Sequence, residues 1–144
     1  MGFTPRGTLD EAELSSLEAG LAISLPRSFR DFLAASNGGT AKELMVYWRD
    51  HEGANAEGEL VTLFGIVDDP DADLRREFKR VAELLGPRLL PFGRCADGNT
   101  FALALADGSV HVIDEEQFFV NEDEYESHRI ADDFLVFARE WGLG

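Results

Sequence analysis

Apolar side chains recur at helical spacing near the start of the chain, at Leu14 and Leu17. Thr8 and Glu11 precede them with the spacing of a capping box, in which each side chain bonds the other residue's backbone N–H. We therefore predict a first helix with Thr8 as its N-cap. We expect it to end near Gly20, because glycine is favoured just past a helix C-terminus.

A second helical stripe follows Pro26, whose fixed φ suits the first turn of a helix. Phe29, Phe32 and Leu33 fall at i, i+3 and i+4, which places them on one face. Asn-Gly-Gly at residues 37–39 is a strong stop signal. The pattern therefore predicts a helix between Pro26 and this triplet.

Two more helices are predicted downstream. The acids of residues 68–73 open a third helix, and the bases at 75–80 follow them in the order that the helix dipole favours. The apolar stripe of a closing amphipathic helix consists of Ile130, Phe134, Phe137 and Trp141. We place Asp132 and Asp133 in the first turn of this last helix.

Short apolar runs between these helices predict strands. The predicted strands cover residues 44–48, 60–66 and 89–93, followed by a hairpin over 99–114. Residues 50–59 are polar and contain glycine, so we predict a loop there.

The hairpin carries the clearest turn signal in the chain, the pair Asp107-Gly108, which favours a two-residue turn. In that register Leu105 faces Val110, and Ala104 faces His111. The register also places the alanines on one face of the hairpin. We expect another element to pack closely against that face.

The predicted order is two helices, two strands, a helix, three strands and a helix. Strict βαβ alternation is missing, which argues against a parallel sheet. We therefore predict a single α+β domain over residues 1–144, with a mixed, mostly antiparallel sheet flanked by about four helices.

Composition supports a soluble, folded chain. Of its 144 residues, 44% are hydrophobic, which is enough for a core without a metal or disulfide. Cys95 is the only cysteine, so an intrachain disulfide is excluded and a cytoplasmic location is expected. The sequence contains no apolar run near the roughly 20 residues of a membrane span, and no signal-peptide pattern.

The formal net charge of −15 restricts the classes of partner that the protein could bind. A nucleic-acid-binding protein, or one that docks on anionic lipid, would carry the opposite sign. An acidic excess attracts basic proteins or cations, and it also favours solubility. Acidity for solubility alone therefore stays open as an alternative to a basic partner.

The sequence offers little for catalysis. The three histidines form no zinc-binding pair, and Cys95 has no evident base to ionise it. No nucleotide-binding or hydrolase motif occurs, and residues 68–73 lack the central glycine and terminal glutamate of a calcium loop. We expect no catalytic residue, metal site or cofactor. A metal-dependent hydrolase using clustered acids remains a third hypothesis.

One acidic stretch has no explanation in helix termini. From Asp107 to Gly144 the chain carries eleven acids and two bases, and no base lies between Asp114 and Glu126. Aromatic residues lie among these acids, as in interface hot spots; a solvated loop with inward-facing phenylalanines is an equal alternative. The predicted partner-binding residues are Asp114, Glu115, Glu116, Phe119, Glu122, Asp123, Glu124 and Glu126.

Several motifs resemble those of the SUKH superfamily. The run LPRSFRDFL at residues 25–33, followed by SNGG at 36–39, resembles its "LP-x-x-[FY]-x-x-[FL]-L…NGG" signature. Residues 90–93, 97–99 and 108–110 resemble its "LPIG…DGN…G-x-V" strands. The residues that carry the resemblance, expected to be structural, are Leu25, Pro26, Phe29, Phe32, Leu33, Asn37, Gly38, Gly39, Gly98 and Asn99.

The resemblance implies an α+β fold and no catalytic residues. Bacterial members are mostly immunity proteins that neutralise a cognate toxin, often a nuclease, and fungal members regulate cell-wall assembly through protein contacts. Many members carry a histidine–acid pair after the "G-x-V" strand, whereas Asp114-Glu115 here lacks the histidine.

These observations favour a non-catalytic immunity protein whose acidic surface binds a basic toxin. The alternative is a regulatory or scaffolding module with a non-toxin protein partner.

Overall fold

A computed structural model describes residues 2–49, 53–113 and 128–143 of the chain. The helices are α1 (Glu11–Leu21), α2 (Arg27–Ser36), α3 (Leu74–Leu85) and α4 (Phe134–Glu140). The strands are β1 (Gly2–Pro5), β2 (Gly39–Arg49), β3 (Asn55–Leu63), β4 (Leu89–Cys95), β5 (Thr100–Ala104), β6 (Val110–Ile113) and β7 (His128–Ala131).

The strands form one curled sheet in the order of the chain, from β1 to β7. All six pairs of neighbouring strands are antiparallel. An isolated parallel bridge joins Gly65 to Asp73, outside the strands. The predicted α+β class with a mostly antiparallel sheet is confirmed, although β1 and β7 were not predicted.

The main core is built around Phe92 on β4. Its ring centroid lies 5.2 Å from that of Phe134 and 5.4 Å from that of Phe137, both in edge-on geometry. Phe29 on α2 and Phe101 on β5 complete the cluster at 6.1 and 6.2 Å. Aromatic pairs at these separations add to the free energy of area burial. This cluster joins α2 and α4 to the middle of the sheet.

Helix α3 closes a second, smaller cluster. Val81 on α3 packs with Leu89, Ala102 and Ile113, all of them buried. Because side chains alternate along a strand, Ala102 faces away from the main core that its neighbours enter. The expected close packing against the alanine face of the hairpin is confirmed, and α3 is the packing element.

The N-terminal cap of α1 differs from the prediction. Asp10, not Thr8, is the N-cap, and it forms the capping box with Glu13. Its carboxylate accepts from the Glu13 N–H at 2.8 Å, and Glu13 accepts from the Asp10 N–H at 3.1 Å. The helix ends at Ala22 in the left-handed conformation, so Gly20 is not the cap. Two candidate capping boxes, Thr8 with Glu11 and Asp10 with Glu13, have the same spacing, and sequence spacing alone did not distinguish them.

Helices α3 and α4 both begin later than predicted. Asp73 caps α3 and Asp133 caps α4, each through its carboxylate, so neither Asp132 nor Asp133 lies inside α4. Ile130 belongs to β7 instead of the closing helix. In the described part of the chain, no helix is long and apolar enough to cross a membrane.

The predicted register of the β5–β6 hairpin is wrong by two residues. Leu103, not Leu105, pairs with Val110, because the Leu105 N–H donates to the Arg88 carbonyl on the β4 side at 2.9 Å. The wider turn is closed by the Gly108 N–H, which donates to the Ala104 carbonyl at 2.7 Å. A shift of two leaves every side chain on its predicted face.

Candidate partner-binding site

Three pairs of strand ends lie at the same end of the sheet. They are the ends of β2 and β3, of β4 and β5, and of β6 and β7, since Arg49 pairs with Asn55, Arg94 with Thr100, and Val112 with His128. The predicted partner-binding residues fall in the β6–β7 connection. All eight, from Asp114 to Glu126, lie outside the described residues.

The anchors of that connection are described. β6 ends at Ile113 and β7 begins at His128, and the two strands pair directly. The end of β6 and the start of β7 therefore lie side by side, next to the start of β5.

Further acids lie at this end of the sheet. Glu57 is exposed and Glu59 is half-buried on β3, and Asp97 is exposed in the β4–β5 turn. The Glu59 carbonyl accepts from the Ala96 N–H at 2.8 Å, which joins the strand to that turn. We call Glu57, Glu59 and Asp97 the acidic rim. The rim places three carboxylates at the end of the sheet where β6 ends and β7 begins.

The sequence prediction missed the acidic rim because it placed residues 50–59 in a loop. The structure places Asn55–Glu59 in β3, opposite Met45–Arg49 of β2. Glycine at position 58 lets β3 lie close to the Cys95 side chain on β4, because a Cβ there would lie 2.8 Å from the Cys95 sulfur. The alternation of small and charged residues from 56 to 59 was the sequence feature that could have predicted a strand here.

The Asn-Gly-Gly motif joins α2 to the sheet. The Asn37 side chain brackets the backbone of Ile66: its Oδ1 accepts from the Ile66 N–H at 2.7 Å, and its Nδ2 donates to the Ile66 carbonyl at 3.2 Å. Asn37 also ends α2 in the left-handed conformation, at φ 52°. Asparagine tolerates this conformation better than most residues.

Gly38 occupies a site where no side chain fits. Its φ is 67°, and a Cβ would lie 2.4 Å from the Leu63 carbonyl oxygen and 2.5 Å from that of Phe64. The Arg6 guanidinium fills the remaining space and donates to the Leu63 carbonyl at 2.7 Å. Partial burial lowers the pKa of Arg6. At Gly39 a Cβ would lie 2.2 Å from the Thr4 carbonyl oxygen of β1.

The apolar residues of the first motif lie on α2 and at its entry. Leu25, Phe29 and Leu33 are buried in the main core, and Phe32 is partly buried against it. Pro26 stands at the N-cap of α2.

Glu18 on α1 connects the two helices. It accepts from the Leu25 N–H at 2.8 Å and from Arg30 Nε at 3.0 Å. Arg30 also bonds Glu11 through two nitrogens, and these bonds raise the pKa of Arg30 and lower that of Glu11.

The motif residues Gly98 and Asn99 form the β4–β5 turn. Gly98 has φ 97°, which favours glycine, and its N–H donates to the Cys95 carbonyl at 3.0 Å. The Asn99 carbonyl accepts from the Cys95 N–H at 2.8 Å, and the Asn99 N–H donates to Asp97 Oδ1 at 3.2 Å. The turn is thus closed by its own hydrogen bonds and presents the Asp97 side chain at the acidic rim.

Three residues of the hairpin have the types of a catalytic triad but not its connectivity. The Ser109 hydroxyl lies 2.6 Å from Asp107 Oδ1 and 2.8 Å from His111 Nε2. A hydroxyl has one hydrogen, and a carboxylate only accepts, so Ser109 donates to Asp107 and accepts from His111. Hydrogen bonds from Ser109 lower the pKa of Asp107, with a smaller contribution from Arg129. Ser109 is 1% exposed, so these hydrogen bonds stabilise the turn, and Ser109 is not a nucleophile activated by His111.

Two further groups that could take part in chemistry, the Cys95 thiol and the Glu77 carboxylate, are buried. Burial raises the pKa of the Cys95 thiol to about 12, which disfavours the thiolate that a nucleophile needs. The buried Glu77 accepts from Arg80 and from Arg94, and the Arg94 guanidinium lies 5.2 Å from the centroid of the Phe64 ring. Within residues 2–49, 53–113 and 128–143, no group of three potential ligands could hold a metal ion.

The fold and these motifs agree with a comparison to known families. A family model described as the SMI1 / KNR4 family (SUKH-1) matches residues 8–140, nearly the whole chain. The chain therefore belongs to the SMI1 / KNR4 family, within the SUKH superfamily. No curated protein sequence matches it. The family is generally non-catalytic, and membership supports a protein-binding role, as an immunity or a regulatory protein.

Proposed function

We propose that this protein is an immunity protein that binds and neutralises a basic bacterial toxin, of nuclease type, through the acidic end of its sheet. The observation that carries the proposal is the run of seven carboxylates without a base between Asp114 and Glu126. Its two anchors, Ile113 and His128, lie at the same end of the sheet as the acidic rim. Family membership supports a protein partner.

The chemistry of neutralisation follows from charge. A nuclease groove that holds phosphates is lined by lysine and arginine. Carboxylates of an immunity protein occupy that groove in place of phosphates and exclude the substrate. Opposite net charges also steer the two proteins together, with association rate constants up to about 10⁸–10⁹ M⁻¹s⁻¹ at low salt.

The first experiment tests for the partner. The protein is tagged and co-expressed with the product of the adjacent upstream gene, and growth is followed with and without the immunity candidate. We expect a co-purifying complex and rescue of growth. Absence of both would refute the toxin-neutralising function, whereas a stable complex with a protein that is not toxic would support the regulatory role instead.

A second experiment locates the contact. Glu122, Asp123 and Glu124 are replaced together by alanine. The matched control replaces Asp31, Glu83 and Glu140, three exposed acids on α2, α3 and α4. Both variants lose three negative charges, so solubility and long-range attraction change alike. We expect the first variant to lose rescue at low expression and the control to keep it; equal behaviour of the two variants would place the contact elsewhere.

A further inference from the structure

The second half of β2 has no partner strand on its outer side among the described strands. β1 pairs only with Gly39–Lys42. The register of β2 against β3 then shifts between Thr40 and Leu44, where Glu43 has φ 58°. From Leu44 to Arg49, β3 is the one described strand that pairs with β2. Such an edge presents backbone donors and acceptors to a further strand.

The direction of these donors follows from one hydrogen bond. The Glu59 carbonyl points toward β4, where it accepts from the Ala96 N–H. In a trans peptide the next N–H, that of Leu60, points the opposite way, toward β2 and its pair Leu44. Along β2 the directions then alternate, so the N–H and carbonyl groups of Met45 and Tyr47 point to the open edge.

The side chains next to this edge combine aromatic surface with negative charge. Tyr47 is 56% exposed, and its ring centroid lies 5.8 Å from that of Trp141 at the end of α4. Met45 and Tyr47 pair across the ladder with Glu59 and Glu57, so these four side chains share one face of the sheet. The open edge thus adjoins two residues of the acidic rim.

From this geometry we infer that the Leu44–Arg49 edge binds an extended basic segment of the protein partner as an added β-strand. Main-chain hydrogen bonds to Met45 and Tyr47 supply the pairing. Lysine or arginine at alternate positions of the segment lies over Tyr47 and Trp141, where cation–π contact is available. The same side chains reach across β2 toward Glu57 and Glu59 on β3, a distance of two strand spacings of about 4.8 Å each. This inference rests on the proposed function for the sign of the partner's charge.

Charge also favours a basic segment of a partner at this edge over a second copy of the chain. Each copy carries −15, and pairing two copies at this edge would bring two acidic rims together. The shift at Thr40–Leu44 further bends β2 at the start of the open edge. Bulges of this kind blunt edge-to-edge association between identical chains.

The test uses a synthetic peptide of alternating lysine and valine, about eight residues long. The control peptide carries glutamate in place of lysine. Binding is measured by calorimetry, and amide hydrogen exchange is followed by NMR. Before peptide is added, the amides of Met45 and Tyr47 should exchange quickly, whereas those of Val46 and Trp48 should be protected by β3. The lysine peptide should protect Met45 and Tyr47, and the glutamate peptide should not.

A pair of variants separates strand addition from simple charge attraction. Met45→Pro removes the outward N–H, and an edge strand tolerates proline where that N–H faces solvent. Met45→Ala loses the same side chain but keeps the N–H. We expect Met45→Pro to bind the lysine peptide about tenfold more weakly than Met45→Ala, the loss of about one hydrogen bond. The pair Tyr47→Pro and Tyr47→Ala repeats the comparison if Met45→Pro does not fold.

The outcomes are distinct. Equal affinities of the proline and alanine variants, or binding without protection of Tyr47, would overturn the inference. Protection of Tyr47 that rises with protein concentration alone would assign the edge to a second copy, and would also overturn it. A protein that binds the lysine peptide at this edge but fails to rescue growth would count against toxin neutralisation while leaving the edge site intact.

Discussion

Removing the Asn37 side chain should uncouple α2 from the sheet at a single, defined point. Two hydrogen bonds join Asn37 to the backbone of Ile66, at 2.7 and 3.2 Å. Asn37→Gly deletes both bonds while keeping the backbone free to adopt the left-handed conformation. Asn37→Ala deletes both and also forces a Cβ into that conformation.

The expected magnitudes follow from these contacts. Each hydrogen bond contributes about 1 kcal/mol net, and a partly buried N–H left without an acceptor costs about 1–3 kcal/mol. Asn37→Gly should therefore lower the free energy of unfolding by roughly 2–3 kcal/mol. A left-handed non-glycine residue costs about 1–2 kcal/mol, partly offset by the smaller unfolded-state entropy of alanine. Asn37→Ala should therefore lie roughly 1 kcal/mol below Asn37→Gly.

Urea unfolding monitored by tryptophan fluorescence measures both values. With a slope of about 1–3 kcal/mol/M, the midpoint of Asn37→Gly should move down by about 0.7–3 M at an unchanged slope. Amide exchange at Ile66 should accelerate selectively. A midpoint within experimental error of the wild type, or slow exchange at Ile66, would show that the Asn37 bonds do not stabilise the junction.

Other substitutions test the packing and electrostatics of the described chain. Gly38→Ala should lower the free energy of unfolding by about 3 kcal/mol or more, because its Cβ would lie 2.4 Å from the Leu63 carbonyl oxygen. Gly20→Ala in α1 meets nothing within 4 Å and should raise the free energy of unfolding by up to ~1 kcal/mol. Calorimetric melting compares the two variants, and similar shifts in their melting temperatures would contradict the geometry. Glu18→Ala should cost about 1–2 kcal/mol in urea unfolding and Glu18→Gln less, since glutamine keeps an acceptor; equal losses would argue against the backbone bond. With the folded pKa of Cys95 raised to about 12, the unfolded thiol ionises first, so stability should fall as the pH rises above about 8.5, by at most ~1.4 kcal/mol per unit. Cys95→Ala should flatten this decline, and alkylation of the folded protein at neutral pH would contradict it.

The sequence predicted the parts of the fold in which local signals and tertiary packing agree. Helix α2 is one example, because Phe29 and Leu33 form its buried face and Asn37 ends it. The faces of the β5–β6 hairpin were also predicted correctly, since alternation depends only on a period of two. The α+β class followed from the order of these elements.

The errors arose where a tertiary contact outweighed the local signal. The Asp107-Gly108 pair favoured a tight turn, but Ser109 bonds the Asp107 carboxylate and the Leu105 N–H donates to the carbonyl of Arg88, just before β4, so the turn is wider. Ile130 fits a helical stripe but pairs as part of β7. β1 has only four residues and is stabilised by its pairing with β2, so it left no periodic signal.

The candidate site was predictable only in part. Charge counting identified the stretch from Asp114 to Glu126, because its seven acids with no base between them are visible without a structure. The acidic rim on β3 and the β4–β5 turn could not be found in this way. Glu57 and Asp97 are forty residues apart in sequence, and the sheet places them at one end.

The rate of association with the cognate toxin tests the central claim most directly. Stopped-flow fluorescence compares the wild type, the variant without Glu122, Asp123 and Glu124, and the matched variant without Asp31, Glu83 and Glu140, each at low and physiological salt. If the acidic end captures a basic toxin, the first variant should associate about tenfold more slowly at low salt and lose much of the salt dependence. The matched variant should remain close to the wild type. Equal rates for both variants, or an association rate insensitive to salt, would contradict the account.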